Sequence, residues 1–361
     1  MKPQPFYAIL SSMTDKISFE DIMATLDKDT LSKVKIGSEI SREVMPTASY
    51  NLNTLLGGGF RKGKQHTLWG GEQSAKTGFM LQTAGINQKL GENIAWIDAE
   101  HSFDPAWATR LGCDPDKIAV SEISTIGELT DLQVKLIKAG FDMIIIDSTS
   151  ALMPKSYVDK DGELKAFADT AQLGAMAKDL GQMCKMIQGI NYTCAIVQIS
   201  QARVDVGSPA MTKPYKPTGG KEVEHTDSLR IRLMSSKSEA NAIMGSSQRG
   251  MNLIQEKQGI PVTWKIDKNK LNGKYSSGNY EFYIAGDHVG LDLPGEILDT
   301  AVTFGVADKG GAWYTIYGER KQGRNNAVKY LRDNPDLLKK MKSELDSIDT
   351  VVEEPAPEDN E

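Results

Sequence analysis

The sequence predicts an α/β fold with a central, mostly parallel sheet, and three observations carry the prediction. Short apolar runs recur at 65–69, 93–97, 142–146 and 193–199. Segments of helical spacing separate them, the pattern of strands joined by crossover helices. Further β-like runs follow at 229–233, 261–266 and 280–284, and from about residue 286 the pattern turns helical. In such sheets ligands lie beyond the carboxyl ends of the strands, so the residues just past each run are the ones in which to seek function.

The flanks divide the 361 residues further. Residues 1–44 are expected to form an N-terminal arm, 45–285 the main domain, 286–342 a small terminal domain and 343–361 a tail. Within the arm, Phe19, Ile22, Met23, Leu26 and Leu31 fall at helical spacing. They predict one amphipathic helix over 18–34, packed on its own core or docked on a neighbouring subunit. The chain carries 42 Lys and Arg against 48 Asp and Glu, a net charge of −6. From Ser343 onward there are acids and no base, while the rest is close to neutral. The acidic tail is expected to be disordered.

Composition excludes several classes. No apolar run approaches the ~18–20 residues of a membrane span, and the stretch behind Met1 is too short for a secretory signal. Cys113, Cys184 and Cys194 are odd in number and lack C-x-x-C spacing, so neither a disulfide framework nor a zinc ribbon is expected. The default expectation is a reduced, cytoplasmic enzyme without a membrane partner.

The strongest motif is Gly70-Gly71-Glu72-Gln73-Ser74-Ala75-Lys76-Thr77, followed by Gly78, between the first run and a helical segment. It matches G-x-x-x-x-G-K-[ST] except at Ala75. Such a loop aims successive backbone N–H groups at nucleotide phosphates, helped by the positive end of the following helix. Lys76 supplies a point charge for the β- and γ-phosphates, and the Thr77 hydroxyl is placed to bind Mg²⁺. Ala75 stands where the last loop glycine belongs. Alanine does not reach positive φ cheaply, so Ala75 is expected in a helical conformation. Gly57-Gly58-Gly59 lacks the lysine and reads as a turn, and Gly219-Gly220-Lys221 has Glu222 where a hydroxyl is needed.

Polar residues close the other runs. Asp147 follows three isoleucines and is the expected Mg²⁺ ligand opposite Thr77, acting through water. Glu100, one strand over, is placed to orient and deprotonate an attacking water. Asp98 reads as structural, and His101 lacks the spaced partners of a metal site. Gln201 is neutral, can donate to a γ-phosphate, and begins a turn-rich stretch over 207–220 with no helical or strand period. A structureless loop of that length is functional or mobile, and Gln201 is poised to report nucleotide state to it.

Together these residues resemble one family. From Met45 to about Pro335 the chain is similar to RecA-type homologous recombinases of bacteria and bacteriophages. The likeness rests on Pro46-Thr47-Ala48 with Leu56-Gly57-Gly58-Gly59, the phosphate loop, Ile97-Asp98-Ala99-Glu100-His101 with Asp104-Pro105, Asp147-Ser148, Gln201 and Gly219-Gly220. It continues through Lys268-Asn269-Lys270 and Gly311-Ala312-Trp313-Tyr314.

The resemblance implies a RecA-like P-loop NTPase core with an N-terminal oligomerisation helix and a small α+β C-terminal domain. It implies that Glu100 is the catalytic glutamate and that Asp104 and Trp107 flank the adenine of ATP. Lys268 and Lys270 would reach the nucleotide of the adjacent subunit, as an arginine finger does. Residues 203–221 resemble the second DNA-binding loop, with Arg203, Val206, Gly207, Gly219 and Gly220 as contacts and Val206 as the aliphatic wedge between base triplets. Lys178 matches a basic position near the first DNA loop. The implied partners are single- and double-stranded DNA and further copies of the chain in a helical filament, in the host cytoplasm if phage-encoded. Ala75 departs from the family, as do Glu222 and Glu224, which follow Gly219-Gly220 where the family is neutral or basic. Two other classes share the phosphate loop: a hexameric RecA-type helicase and a non-hydrolysing regulatory module.

Overall fold

The computed structural model describes residues 18–31, 34, 36, 37, 43–157, 159, 165, 174–204, 215–235, 242–249 and 252–352. The chain divides into two compact units, Met1–Arg42 and Glu43–Glu361.

The first unit holds two short helices, α1 (Phe19–Ala24) and α2 (Lys28–Leu31), where the sequence predicts one. The reason is capping. Ser18 accepts from Asp21 N and starts α1, and Asp27 Oδ1 accepts from Thr30 N at 2.8 Å and starts a second helix. Neither helix contains a buried residue.

The second unit opens with β1 (Val44–Met45), α3 (Tyr50–Leu56) and β2 (Phe60–Arg61), and β1 pairs antiparallel with β2. Gly57 ends α3 at φ +70°, so this cluster is the turn expected of it. There follow β3 (Gln65–Gly70), α4 (Lys76–Lys89), β4 (Ile94–Asp98), α5 (Pro105–Arg110), β5 (Ile118–Glu122), α6 (Ile126–Ala139), β6 (Met143–Asp147), α7 (Ala175–Gln188) and β7 (Ala195–Val204). Next come β8 (Tyr215–Pro217), α8 (Gly220–Thr226), β9 (Leu229–Ser235), β10 (Ile243–Arg249), β11 (Asn252–Asn269), β12 (Ser277–Tyr283) and β13 (Gly290–Leu291).

These strands form one sheet in the order β13-β12-β11-β9-β3-β7-β6-β4-β5, with β10 on β11 and β8 on β7. From β9 to β5 all neighbours are parallel, and β11, β12 and β13 are antiparallel. The apolar runs read as strands because the parallel part is buried on both faces. In β6, Met143 and Ile145 join one core with Leu68, Phe79, Trp96 and Val197. Ile144 and Ile146 join the other with Ile97, Leu129, Leu180 and Cys184. The carboxyl ends come level: Gly70 is beside Gln201, and Asp98 is beside Asp147.

The C-terminal part comprises α9 (Leu293–Thr303), the antiparallel strands β14 (Asp308–Gly310), β15 (Trp313–Ile316) and β16 (Glu319–Gln322), then α10 (Arg324–Asp333) and α11 (Pro335–Val352). Its core gathers Ile297, Leu298, Tyr314, Ile316, Val328, Leu331, Met341 and Leu345. Two expected boundaries move. Leu291 pairs with Phe282, so the main sheet continues past residue 285. The helix α11 runs to Val352, which corrects the expectation of a disordered tail from 343. Burial of Leu345 draws that stretch into the helix, where Glu344 accepts from Tyr317 Oη and Asp346 from Lys342 Nζ. Residues 353–361 lie outside the described residues. Among the described residues no helix is long and apolar enough to cross a membrane.

Candidate active site and nucleic-acid interface

The phosphate loop leaves β3 at Gly70, where a Cβ would stand 2.0 Å from Leu233 O, so only glycine fits beside β9. Gln73 and Ala75 both adopt positive φ, +58° and +63°. This overturns the helical conformation expected for Ala75, which is the left-handed N-cap of α4. The turn holds alanine in glycine's geometry at a cost of about 1–2 kcal/mol. Gly78 faces inward, where a Cβ would meet Phe282 Cζ at 2.5 Å. Its requirement comes from packing of α4 on β12.

Lys76 Nζ donates to Gly71 O at 2.7 Å and Gly70 O at 3.2 Å, and sits 3.4 Å from Ser74 Oγ. Burial draws its pKa below the ordinary lysine value, opposed by the carboxylates of Asp147, Glu100 and Glu72. Thr77 Oγ1 donates to Asp147 Oδ2 at 2.7 Å, so the two expected metal ligands meet. Asp147 is pushed up to about 6, first by burial and then by the charges of Glu100 and Asp98, against the Thr77 hydrogen bond and Lys76. A hydroxyl and a carboxylate at the loop mouth are the hard oxygen donors that suit Mg²⁺, which takes few protein ligands.

Glu100 lies past the end of β4. Its Oε1 accepts from Ser148 Oγ and, at 3.2 Å, from Gln201 Nε2. Asp98 accepts from Glu100 N, Ser102 N and Phe103 N, fixing the turn that carries Glu100, the structural part expected of it. His101 stands at φ +54° with Nδ1 3.4 Å from Glu122. Asp104 caps α5, accepting from Ala106 N and Trp107 N, and the Arg110 guanidinium lies 5.2 Å from the Trp107 ring centre.

Gln201 sits within β7, and Gln201 N donates to Ser150 Oγ. Two residues on, Arg203 Nη2 donates to Ser150 O at 3.1 Å. The stretch expected to be structureless over 207–220 is structured at its base. Ala202, Arg203 and Val204 pair with Pro217, Lys216 and Tyr215 in a hairpin, and Gly220 opens α8. Gly219 adopts φ +116°, with Val223 2.7 Å from where a Cβ would be. Val206 and Gly207 lie outside the described residues. Lys178 is exposed on α7, and its neighbour Ala177 packs against Gly220, which brings Lys178, Gly219 and Gly220 to one end of the α7–α8 pair. The acids that depart from the family are partnered: Glu222 with Lys185 at 2.6 Å, and Glu224 with Arg230 at 3.8 Å.

Lys268 and Lys270 stand apart from the phosphate loop's lysine, at the end of β11. Lys268 Nζ donates to Glu224 O, and Lys270 Nζ to His225 O at 2.7 Å, near the negative end of α8. Burial, then the charge of Lys270, lowers Lys268 to about 8. Sequence reasoning quoted Ser148 beside Asp147 without giving it a role, and missed Ser150, whose only signal is its place just past Asp147. It also missed Trp69, Arg232 and Asp267, which only the sheet register brings together.

Comparison with known proteins agrees with this geometry. Residues 15–278 match the RecA N-terminal domain and 295–347 the RecA C-terminal domain. Protein RecA of Acholeplasma laidlawii (strain PG-8A) is 31% identical over 336 residues, covering 91% of this chain and 95% of the relative. Protein RecA of Saccharopolyspora erythraea is 30% identical over 360 residues, covering 95% and 97%. Protein RecA of Sinorhizobium fredii is 31% identical over 322 residues, covering 87% and 83%. With both domains matched in order and the phosphate loop, Glu100 and Asp147 gathered at the strand ends, the chain belongs to the RecA family of recombinases and is a DNA-dependent ATPase.

Proposed function

We propose that the chain assembles on single-stranded DNA as a helical filament with ATP between neighbouring protomers, and that hydrolysis at Glu100 is coupled to strand exchange with duplex DNA. The observation that carries this reading is the Glu100–Gln201 hydrogen bond, because Gln201 lies on the strand that continues into the base of the candidate DNA loop.

Each side chain then has a role. The loop Gly70–Gly78 cradles the phosphates and Lys76 neutralises them. Thr77 and Asp147 would hold Mg²⁺, which would supply charge neutralisation at the phosphates. Glu100 orients the attacking water and takes its proton, while Gln201 and Ser148 fix that carboxylate. Asp104 and Trp107 flank the adenine. Lys268 and Lys270 act on the neighbour's nucleotide. Arg203, Val206, Gly207, Gly219, Gly220 and Lys178 face DNA, with phosphate contacts that weaken as salt rises. Residues 1–44 serve as the arm between protomers.

Glu100→Gln tests the reading. DNA-stimulated hydrolysis is expected to fall by about 10²–10⁴-fold, while electron microscopy still shows filaments on single-stranded DNA with ATP. Closed rings would favour the helicase. A wild-type chain whose hydrolysis ignores DNA would end the proposal.

A further inference from the structure

The lysine pair is aimed by a break in the sheet. Along β11, Trp264 and Ile266 face the core, so strict alternation would send Lys268 inward as well. It does not go inward, because one extra residue intervenes. Ile266 pairs with Ile231, but Lys268 pairs with Arg230, and Asp267 is left as a bulge. The bulge turns Lys268, and two residues later Lys270, to the polar face, where both reach the end of α8.

The extra residue is itself tied down. Asp267 Oδ2 accepts from Trp69 Nε1 at 3.0 Å and from Arg232 Nε at 2.9 Å, and Oδ1 accepts from Arg232 Nη2 at 3.0 Å. The Arg232 guanidinium also stacks 4.3 Å from the Trp69 ring centre. A two-pronged arginine bond fixes orientation as well as position. Trp69 is buried and immediately precedes Gly70, the first residue of the phosphate loop.

We infer that Asp267, held by Arg232 and Trp69, is a positioning residue for trans-acting catalysis. It sets the bulge that aims Lys268 and Lys270 at the neighbour's nucleotide, and it ties that aim to the protomer's own phosphate loop. The inference rests on the trans-acting role proposed above for the two lysines.

The test is complementation in mixed filaments. Asp267→Ala is expected to lower DNA-stimulated kcat by about 10²-fold, the usual penalty for a misplacement near 1 Å, with nucleotide binding by the free chain unchanged. Asp267→Asn, which keeps the shape, and Arg232→Lys serve if the alanine variant does not fold. Mixing Asp267→Ala with Glu100→Gln chains is expected to restore hydrolysis well above either alone. At such junctions an intact Glu100 meets correctly aimed lysines from its neighbour. A merely structural defect, or one confined to the protomer's own loop, gives no recovery on mixing, and that result overturns the inference. So does a wild-type rate in every variant that folds. The Lys268→Ala, Lys270→Ala double variant separates the two levels. If it loses activity and complements while Asp267→Ala does not complement, only the positioning role fails. If it hydrolyses ATP at the wild-type rate, the trans-acting role fails and the positioning role with it.

Discussion

Gln201 Nε2 lies 3.2 Å from Glu100 Oε1, so an uncharged side chain in β7 holds the carboxylate that follows β4. Ser148 grips the same oxygen from the end of β6. Gln201→Ala is therefore expected to lower DNA-stimulated kcat by roughly tenfold to a hundredfold, because Glu100 loses one of the donors that orient it. Steady-state hydrolysis with and without single-stranded DNA measures this, and an unchanged stimulated rate would contradict it.

Ala75 at φ +63° carries strain that glycine would not. Ala75→Gly relieves about 1–2 kcal/mol of it and concedes about 0.4–1 kcal/mol to the greater freedom of the unfolded chain. The net expectation is a gain of roughly 0.5–1 kcal/mol. It should appear as a higher urea midpoint at unchanged slope.

Glu296 is buried, accepts from Ser49 Oγ and Tyr50 N, and is pushed by burial from 4.5 up to about 7. Its folded-state value lies above its unfolded one, so its contribution to stability is complete below about 4.5 and is lost as pH rises through about 7. Glu296→Gln removes the buried charge. The variant is expected to exceed wild type above neutrality and to fall below it in acid, because glutamine has one acceptor oxygen for the two donors Ser49 Oγ and Tyr50 N. Urea unfolding on both sides of the window reads the difference.

Asp147 shifts in the same direction for the same reason, burial, but at the candidate metal site. Burial lifts it to about 6, so below that pH it keeps its proton and is a poor partner for a cation. The Mg²⁺ concentration for half-maximal hydrolysis is expected to climb by up to about tenfold per pH unit below that value. In Asp147→Asn the requirement should be high throughout and nearly flat with pH.

Much of the candidate site stood out in the sequence, for a physical reason. A strand buried on both faces is apolar throughout, so 144–146 stands out, and the residue that ends it must face the ligand side. What was missed lacks that contrast. The edge strand β5 has Val120 exposed, and β10 contains Gly245, Ser246, Ser247 and Gln248, which show no apolar run. Thr25 closes one helix and Asp27 begins another without disturbing the apolar spacing of the arm. Asp267 reads as an ordinary acid beside two lysines until the bulge shows which way each of them faces. The conformation of Ala75 ran against its residue type, because the turn and not the side chain decides it.

The hairpin at the base of the candidate DNA loop has a mechanical consequence. β7 runs ten residues without interruption, its first part bolted between β3 and β6 and its last part projecting beyond them, paired with β8 and tied to Ser150 by Arg203. It is a cantilever, and Gln201 sits where the anchored part ends and the projecting part begins. A force on β8 and the end of β7 would therefore reach the donor that restrains Glu100 along one continuous strand.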